Sequence, residues 1–455
     1  MQAVAQLTEA REFLKHRPAT RFVDVLLADS GGVLRGKRVT MAELDGIYSK
    51  GLYLPGSMFA LDVLGGTIES TGLGFDDGDA DRACRPLAHT LFPVPWLEPE
   101  VAQVQVAMHE IDGQPFFGDP YHVLGSVLER LRGARLTPVV AIELEFYLVD
   151  RERASGLPQP PVSPRTGRRE YRTQINSMED LDDYSAVLAD IASACAIQDI
   201  PTGTALAEYG PGQFEVNLQH VADAQRACDH AIRLKRLVKG IAHRHGMEAT
   251  FMAKPYRDMA GSGTHIHVSL LDANGRNVFA SDDPLGSATL RHAAAGMLAT
   301  MADGMGIFAP NANSYRRLRP QAYVPMTPTW GLNNRGVAVR VPVSDTANRR
   351  LEHRVAGADA NPYLLMAWVL AGVHYGMERR LEAPAPLSGN AYKDKGEPLP
   401  MHWAIAFDRF ERSDFAREYL GERFVDLYAA TRRGELEDFS SYVSPLEIEW
   451  YLRGL

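Results

Sequence analysis

The sequence predicts an α+β protein in two parts, a small mixed N-terminal unit and a larger one in which strands alternate with long helices. Three observations carry this reading. Residues 21–28 and 33–39 read as a hairpin about the turn Asp29-Ser30-Gly31-Gly32. Asp119-Pro120 is a helix start, with Asp as N-cap and Pro in the first turn, and it marks a boundary near residue 118. Beyond it, strand patterns at 137–149, 203–219, 248–271 and 335–355 alternate with helix patterns at 178–199, 221–245, 286–303 and 361–381.

Taken in order, an amphipathic helix over 5–16 precedes the hairpin, and residues 41–50 read as helical. Residues 52–100 are rich in Gly, Pro and Asp with weak periodicity, and alternation returns at 101–109. After Asp119, Val123, Leu124, Val127, Leu128 and Leu131 recur at helical spacing. Residues 151–172 combine Pro with Arg and read as a surface loop, while the chain from about 400 onward reads as amphipathic helices.

A chain of 455 residues, 45% hydrophobic and 23% charged, can bury a large core in two or more domains. Its net charge of -9 argues against general binding to nucleic acid or to an anionic membrane and favours small-molecule chemistry. The cysteines, Cys84, Cys195 and Cys228, are odd in number and lack metal-type spacing, which fits a reducing compartment. Residues 1–15 show no signal-peptide core and no run approaches the roughly 18 apolar residues of a spanning helix, so the expected location is cytoplasmic.

The chemistry lies in strands with one polar face. In residues 141–148, Ile142, Leu144, Phe146 and Leu148 face a core and leave Glu143 and Glu145 together on the other side. Gln213, Glu215, Asn217 and Gln219 repeat the device, with Glu208 returning across the Gly210-Pro211-Gly212 turn; so do His265, His267 and Ser269, then Arg350, Glu352 and Arg354. Each has a bland reading as a solvated face or surface ion pair. On one shared sheet, however, Glu143, Glu145, Glu208, Glu215, Glu352 and His265 converge, and so many carboxylates require cations. Oxygen donors with a single imidazole favour Mg²⁺ or Mn²⁺ over zinc.

Arginines surround that centre: Arg316, Arg317, Arg319, Arg335, Arg340, Arg350 and Arg354. Guanidinium forks beside divalent cations suit a polyphosphate and an acidic substrate, although Arg316 and Arg319 read equally well as surface charge. No Walker-type loop is present, and Gly261-Ser262-Gly263 leads into a strand where a dinucleotide fingerprint needs a helix.

These motifs resemble the glutamine synthetase superfamily. The resemblance runs from about Phe22 to the C-terminus through Glu143-Leu144-Glu145, Glu208 with Gly212-Gln213-Phe214-Glu215, Lys254-Pro255 with Gly261 to His267, Asn313 to Leu318, Asn334-Arg335 with Arg340-Val341-Pro342, and Arg350 to Arg354 ahead of Asn361-Pro362-Tyr363. It implies a small N-terminal β-grasp domain (17–112) and a catalytic α/β barrel domain (118–455). It also implies two or three Mg²⁺ or Mn²⁺ ions per site, with Glu145, Glu208 and Glu215 at one and Glu143, His265 and Glu352 at another. Arg317 and Arg354, with Gly261, would hold L-glutamate; His267, Ser269, Arg335 and Arg340 would contact ATP, Arg335 and Arg340 also serving the transferring phosphoryl group. Family sites lie between subunits of stacked rings, so a homo-oligomer, a dodecamer of two hexameric rings, is expected.

Two departures point to the nucleophile. Ammonia-using members carry an acid in the flap where this chain has Tyr323, and an Asp-Gly-Ser segment where it has Pro55-Gly56-Ser57; Asp81 matches a further family acid. Ammonium is costly to desolvate without a counter-charge, whereas a pocket lacking those acids suits a larger primary amine. The pattern is similar to the γ-glutamylpolyamine and γ-glutamylalkylamine synthetases, with glutamine synthetase using ammonia, or a non-catalytic scaffold, as alternatives. Tyr392 lies near a tyrosine that some members modify by adenylylation, but its neighbours match poorly and no such modification is expected.

Overall fold

The computed structural model describes residues 5–455, which build two sheets with helices packed around them. The first sheet contains β1 (Phe22–Ala28), β2 (Leu34–Thr40), β3 (Leu52–Pro55), β4 (Asp81–Pro86), β5 (Phe92–Pro93) and β6 (Val101–His109). Its order is β2-β1-β6-β4-β3, with β5 on β6, and only β1 and β6 run parallel. The hairpin forms as the sequence indicates, but residues 52–100 hold three short strands that their composition hid. A second correction concerns 178–199, where the helix breaks at Tyr184 into Met178–Asp183 and Ser185–Ile197.

The second sheet holds β7 (Thr137–Asp150), β8 (Thr202–Ala207), β9 (Gln213–Leu218), β10 (Met247–Thr250), β11 (Thr264–Leu271), β12 (Trp330–Leu332), β13 (Val339–Val341) and β14 (Leu351–His353). Its order is β12-β13-β14-β11-β7-β9-β8, with β10 also on β7, and it curls into a nearly closed, barrel-like surface. The pairing is antiparallel except between β12 and β13. Period-two burial along β7 puts Ile142, Leu144, Phe146 and Leu148 into the core shared with Leu234 and Val238 of the helix Ala224–Arg244. The opposite face of β7 carries Glu143 and Glu145.

Polar contacts join the two parts. Asp24 of β1 accepts from Arg38 and from Arg236 of the helix Ala224–Arg244. Gln103 donates to Gln198 at 3.1 Å, and Asn361, N-cap of the helix Pro362–Glu378, donates to the Asp29 carbonyl at 2.9 Å. Asp119 caps the helix Pro120–Gly133 through Tyr121 N and accepts from Met108 N at 2.8 Å; complete burial pushes its carboxyl up to about 7 against those two hydrogen bonds. Leu427, from the late helix Glu422–Ser441, packs into the core of the first sheet. Among the described residues no helix is long and apolar enough to cross a membrane.

Candidate active site

Register brings the acids together. Across the ladder from β7, β11 sets His265 opposite Glu143 and β9 sets Glu215 opposite Glu145. One strand further, β14 sets Glu352 opposite His267, and β13 sets Arg340 opposite Glu352. Directly opposed residues on one face are close neighbours, so ladder geometry rather than loop conformation fixes the cluster.

His265 Nδ1 lies 2.9 Å from Glu143 Oε2 and 3.9 Å from Glu352 Oε1. His267 Nε2 is 2.9 Å from Glu143 Oε1, while its Nδ1 accepts from Arg350 Nε at 3.3 Å. Ligand atoms of Glu143, His265 and Glu352 all fall within 4.8 Å of one another, and so do those of Glu145, Glu215 and His265. His265 therefore stands in both sets. Glu208, grouped with Glu145 and Glu215 on the resemblance, lies in neither, although it is near enough to feel the charges of Glu145 and Glu143.

The electrostatics of the cluster are uneven. Burial, and then the charges of Glu143, Glu145 and Glu208, push Glu215 up to about 9. Burial and Glu145 raise Glu208 to about 7 against the pull of Arg335 and Arg354. For Glu143, burial disfavours the charge, but hydrogen bonds to His265 and His267 outweigh it and hold the carboxyl well below the usual range. Side chains alone thus leave the acids undercompensated, and two oxygen-rich sets sharing one imidazole suit hard divalent cations better than zinc.

On the basic side, Glu352 is 1% exposed and accepts from Arg340 Nη1 at 2.9 Å and from Arg354 Nη1. Arg317 is buried and donates to the Val355 carbonyl at 2.8 Å; burial lowers its pKa from the ordinary value. Asp359 steadies the segment before it, accepting from Ser314 Oγ at 2.7 Å and Asn311 Nδ2 at 2.9 Å. The space beside Gly261 belongs to Arg317, because a Cβ there would fall 2.7 Å from Arg317 Cγ and 2.6 Å from the Ala253 carbonyl. Arg316, Arg319 and Arg335 are exposed, and the charge of Arg335 reaches Glu208. Ser269 lies two residues beyond His267 on β11, opposite Val139.

Tyr323 is 55% exposed, with φ at 52°, and its ring stacks on Tyr209 at 6.2 Å with 26° between planes. Pro55 lies in the first sheet, paired with Asp81, and Ser57 Oγ donates to Asp79 at 2.6 Å. Sequence reasoning missed Tyr209, Asp359 and the engagement of His267 with Glu143. The position of Tyr209, directly after Glu208 and before the Gly210-Pro211-Gly212 turn, was the available signal for the first.

A family model described as "Glutamine synthetase, catalytic domain" matches residues 117–451. The chain is 44% identical to gamma-glutamylputrescine synthetase PuuA of Escherichia coli (strain K12) over 447 residues, which is 98% of this chain and 94% of that protein. It is 33% identical to glutamate–isopropylamine ligase of a Pseudomonas sp. over 464 residues, 98% of each. The solved structure "GmaS/ADP complex-Conformation 1" superposes with a TM-score of 0.85 at 28% identity, covering 99% of this chain and 100% of that one.

Proposed function

Because the chain belongs to the glutamine synthetase family, we propose that it is an ATP-dependent ligase that joins the side-chain carboxyl of L-glutamate to a primary amine, a polyamine such as putrescine or spermidine or a short alkylamine. The glutamate carboxylate attacks the γ-phosphorus of ATP, ADP leaves, and the amine then displaces phosphate from γ-glutamyl phosphate to give the amide. Arg317 and Arg354, with Gly261 lining the pocket, hold the glutamate; His267, Ser269, Arg335 and Arg340 contact ATP. Arg335 and Arg340 also meet the charge that shifts during transfer, a preorganised arrangement that costs no rearrangement at the moment of reaction.

Glu143, His265 and Glu352, with Glu145, Glu215 and Glu208, are the residues that would hold two or three Mg²⁺ or Mn²⁺ ions. Bound there, such ions supply charge neutralisation for the phosphates. Proton loss from the attacking ammonium, whose pKa resembles the roughly 10.4 of lysine, needs an acceptor, which Asp81, Glu208 or solvent would supply.

The observation that carries an amine over ammonia is Tyr323, an open ring at the flap position where the resemblance, counted from Arg317, calls for an acid in ammonia-using members. Glu208, next in the chain to the Tyr209 whose ring pairs with Tyr323, keeps an acid nearby, and this favours the second reading, ammonia as nucleophile. Phosphate release with glutamate, ATP and each of ammonia, methylamine, putrescine and spermidine separates the two. A marked preference for ammonia removes the first reading.

The parts 17–112 and 118–455 are read as a β-grasp domain and a catalytic barrel domain in a dodecamer of two hexameric rings. Support for assembly comes from the C-terminal segment, where Leu446, Ile448, Trp450 and Leu452 are all exposed.

A further inference from the structure

Tyr209 and Tyr323 form an aromatic pair that no core explains. Neither ring belongs to the hydrophobic clusters around the sheets, and both remain partly open to solvent. Their planes are 26° apart with centroids at 6.2 Å, and the pair adjoins Glu208 and the charge of Arg335. It therefore lies against the acidic centre and not on a remote surface.

The backbone beneath it is held in place on both sides. Tyr323 has φ at 52°, a left-handed conformation that a bulky L-residue adopts only when its surroundings enforce it. The next residue supplies such an anchor, since Tyr392 Oη donates to the Val324 carbonyl at 3.3 Å, and Tyr392 N in turn donates to Asn390 Oδ1 at 2.9 Å. Tyr209 sits in a turn closed by Glu208 N donating to the Gln213 carbonyl at 2.9 Å and Gly210 N to Gln213 Oε1 at 3.0 Å. A partly open, braced pair of rings offers a flat apolar wall to methylenes and a π-face to an ammonium.

Resting on the ligase reading above, we infer that Tyr209 and Tyr323 together form the wall that selects the amine, that the selected amine carries an aliphatic chain of several methylenes, and that Tyr392 is a positioning residue acting through the segment that bears Tyr323. Each methylene withdrawn from water against the wall is worth roughly fourfold in affinity. A one-carbon amine gains almost nothing from it, and a four-carbon diamine gains most.

The test is steady-state phosphate release with methylamine, propylamine and 1,4-diaminobutane for the wild type, Tyr209→Ala, Tyr323→Ala, Tyr323→Phe and Tyr392→Phe. The wild type is expected to favour 1,4-diaminobutane. Each alanine variant should raise KM for that diamine about tenfold while shifting KM for methylamine less than threefold, and Tyr323→Phe should keep the selectivity. Tyr392→Phe should raise KM for the diamine about threefold with kcat and the KM for glutamate nearly constant. Selectivity that survives both alanine variants, or a proportional loss with every amine, overturns the assignment while leaving the ligase intact. A wild type that releases no phosphate with any amine sinks the ligase reading and this inference with it.

Discussion

His265 stands directly across the ladder from Glu143, its Nδ1 2.9 Å from Oε2, and the same imidazole completes a second acidic set with Glu145 and Glu215. Removing it should therefore weaken two cation sites together. In calorimetric titration with Mn²⁺, His265→Ala is expected to lose about tenfold to a hundredfold in both binding phases, whereas Glu352→Gln should disturb mainly one. A His265→Ala protein that keeps one phase at wild-type affinity would separate the sets and refute the sharing.

The acids make metal-free stability depend on pH in a definite direction. Glu208 and Glu215 are raised to about 7 and about 9 by burial and neighbouring charge, so the folded state keeps protons that the unfolded chain releases near pH 4.3. Their stabilising contribution is complete below the unfolded pKa and is lost as pH rises through 7 and 9. With a chelator present, Tm should fall from pH 5 to pH 9, and Glu215→Gln should flatten the slope. Equal slopes in wild type and variant would contradict the assignment.

Arg317 owes its placement to the missing side chain at Gly261. Gly261→Ala should displace the guanidinium, and Arg317→Lys should lose its planar fork; both are expected to raise KM for glutamate about tenfold or more, with KM for ATP little changed. A rise in KM for ATP alone would place Arg317 on the wrong substrate.

Asp24 ties the first sheet to the second part. Its Oδ1 accepts from Arg38 at 2.6 Å and its Oδ2 from Arg236 at 2.5 Å; burial disfavours the charge, but these arginines outweigh it and hold the carboxyl below its ordinary range. Arg38 is half exposed and reaches both carboxylate oxygens, while Arg236 is largely buried and reaches one. Asp24→Asn should lower stability by about 1 to 3 kcal/mol at neutral pH. Because a depressed carboxyl stabilises above the unfolded pKa and loses that effect as pH falls through the folded one, the gap between wild type and variant should close in acid. Denaturant unfolding at pH 7 and pH 3 checks this, and a constant gap would count against the ion pair.

Much of the site was legible because a strand's period is two. The spacing of Glu143 with Glu145, and of His265 with His267, already put each pair on one face, opposite apolar residues that fill the core. Register was not legible, since nothing local says that His267 will reach Glu143 and Arg350, or that Glu352 will sit between Arg340 and Arg354. Short strands such as Leu52–Pro55 and Asp81–Pro86 escaped because four to six residues ending in proline carry too little alternation. The helix break at Tyr184 and the meeting of Tyr209 with Tyr323 depend on segments distant in the chain.

The cluster's side chains are spread from residue 143 to residue 352, on strands that all belong to one sheet. A ribosome must finish β14 before Glu352 can join Glu143 and His265, whereas Glu145, Glu215 and His265 need only β7, β9 and β11, so the two sets become complete at different stages of synthesis. Only the set that contains Glu352 reports that the sheet is complete, and a polypeptide that stops short of β14 has half of the cluster.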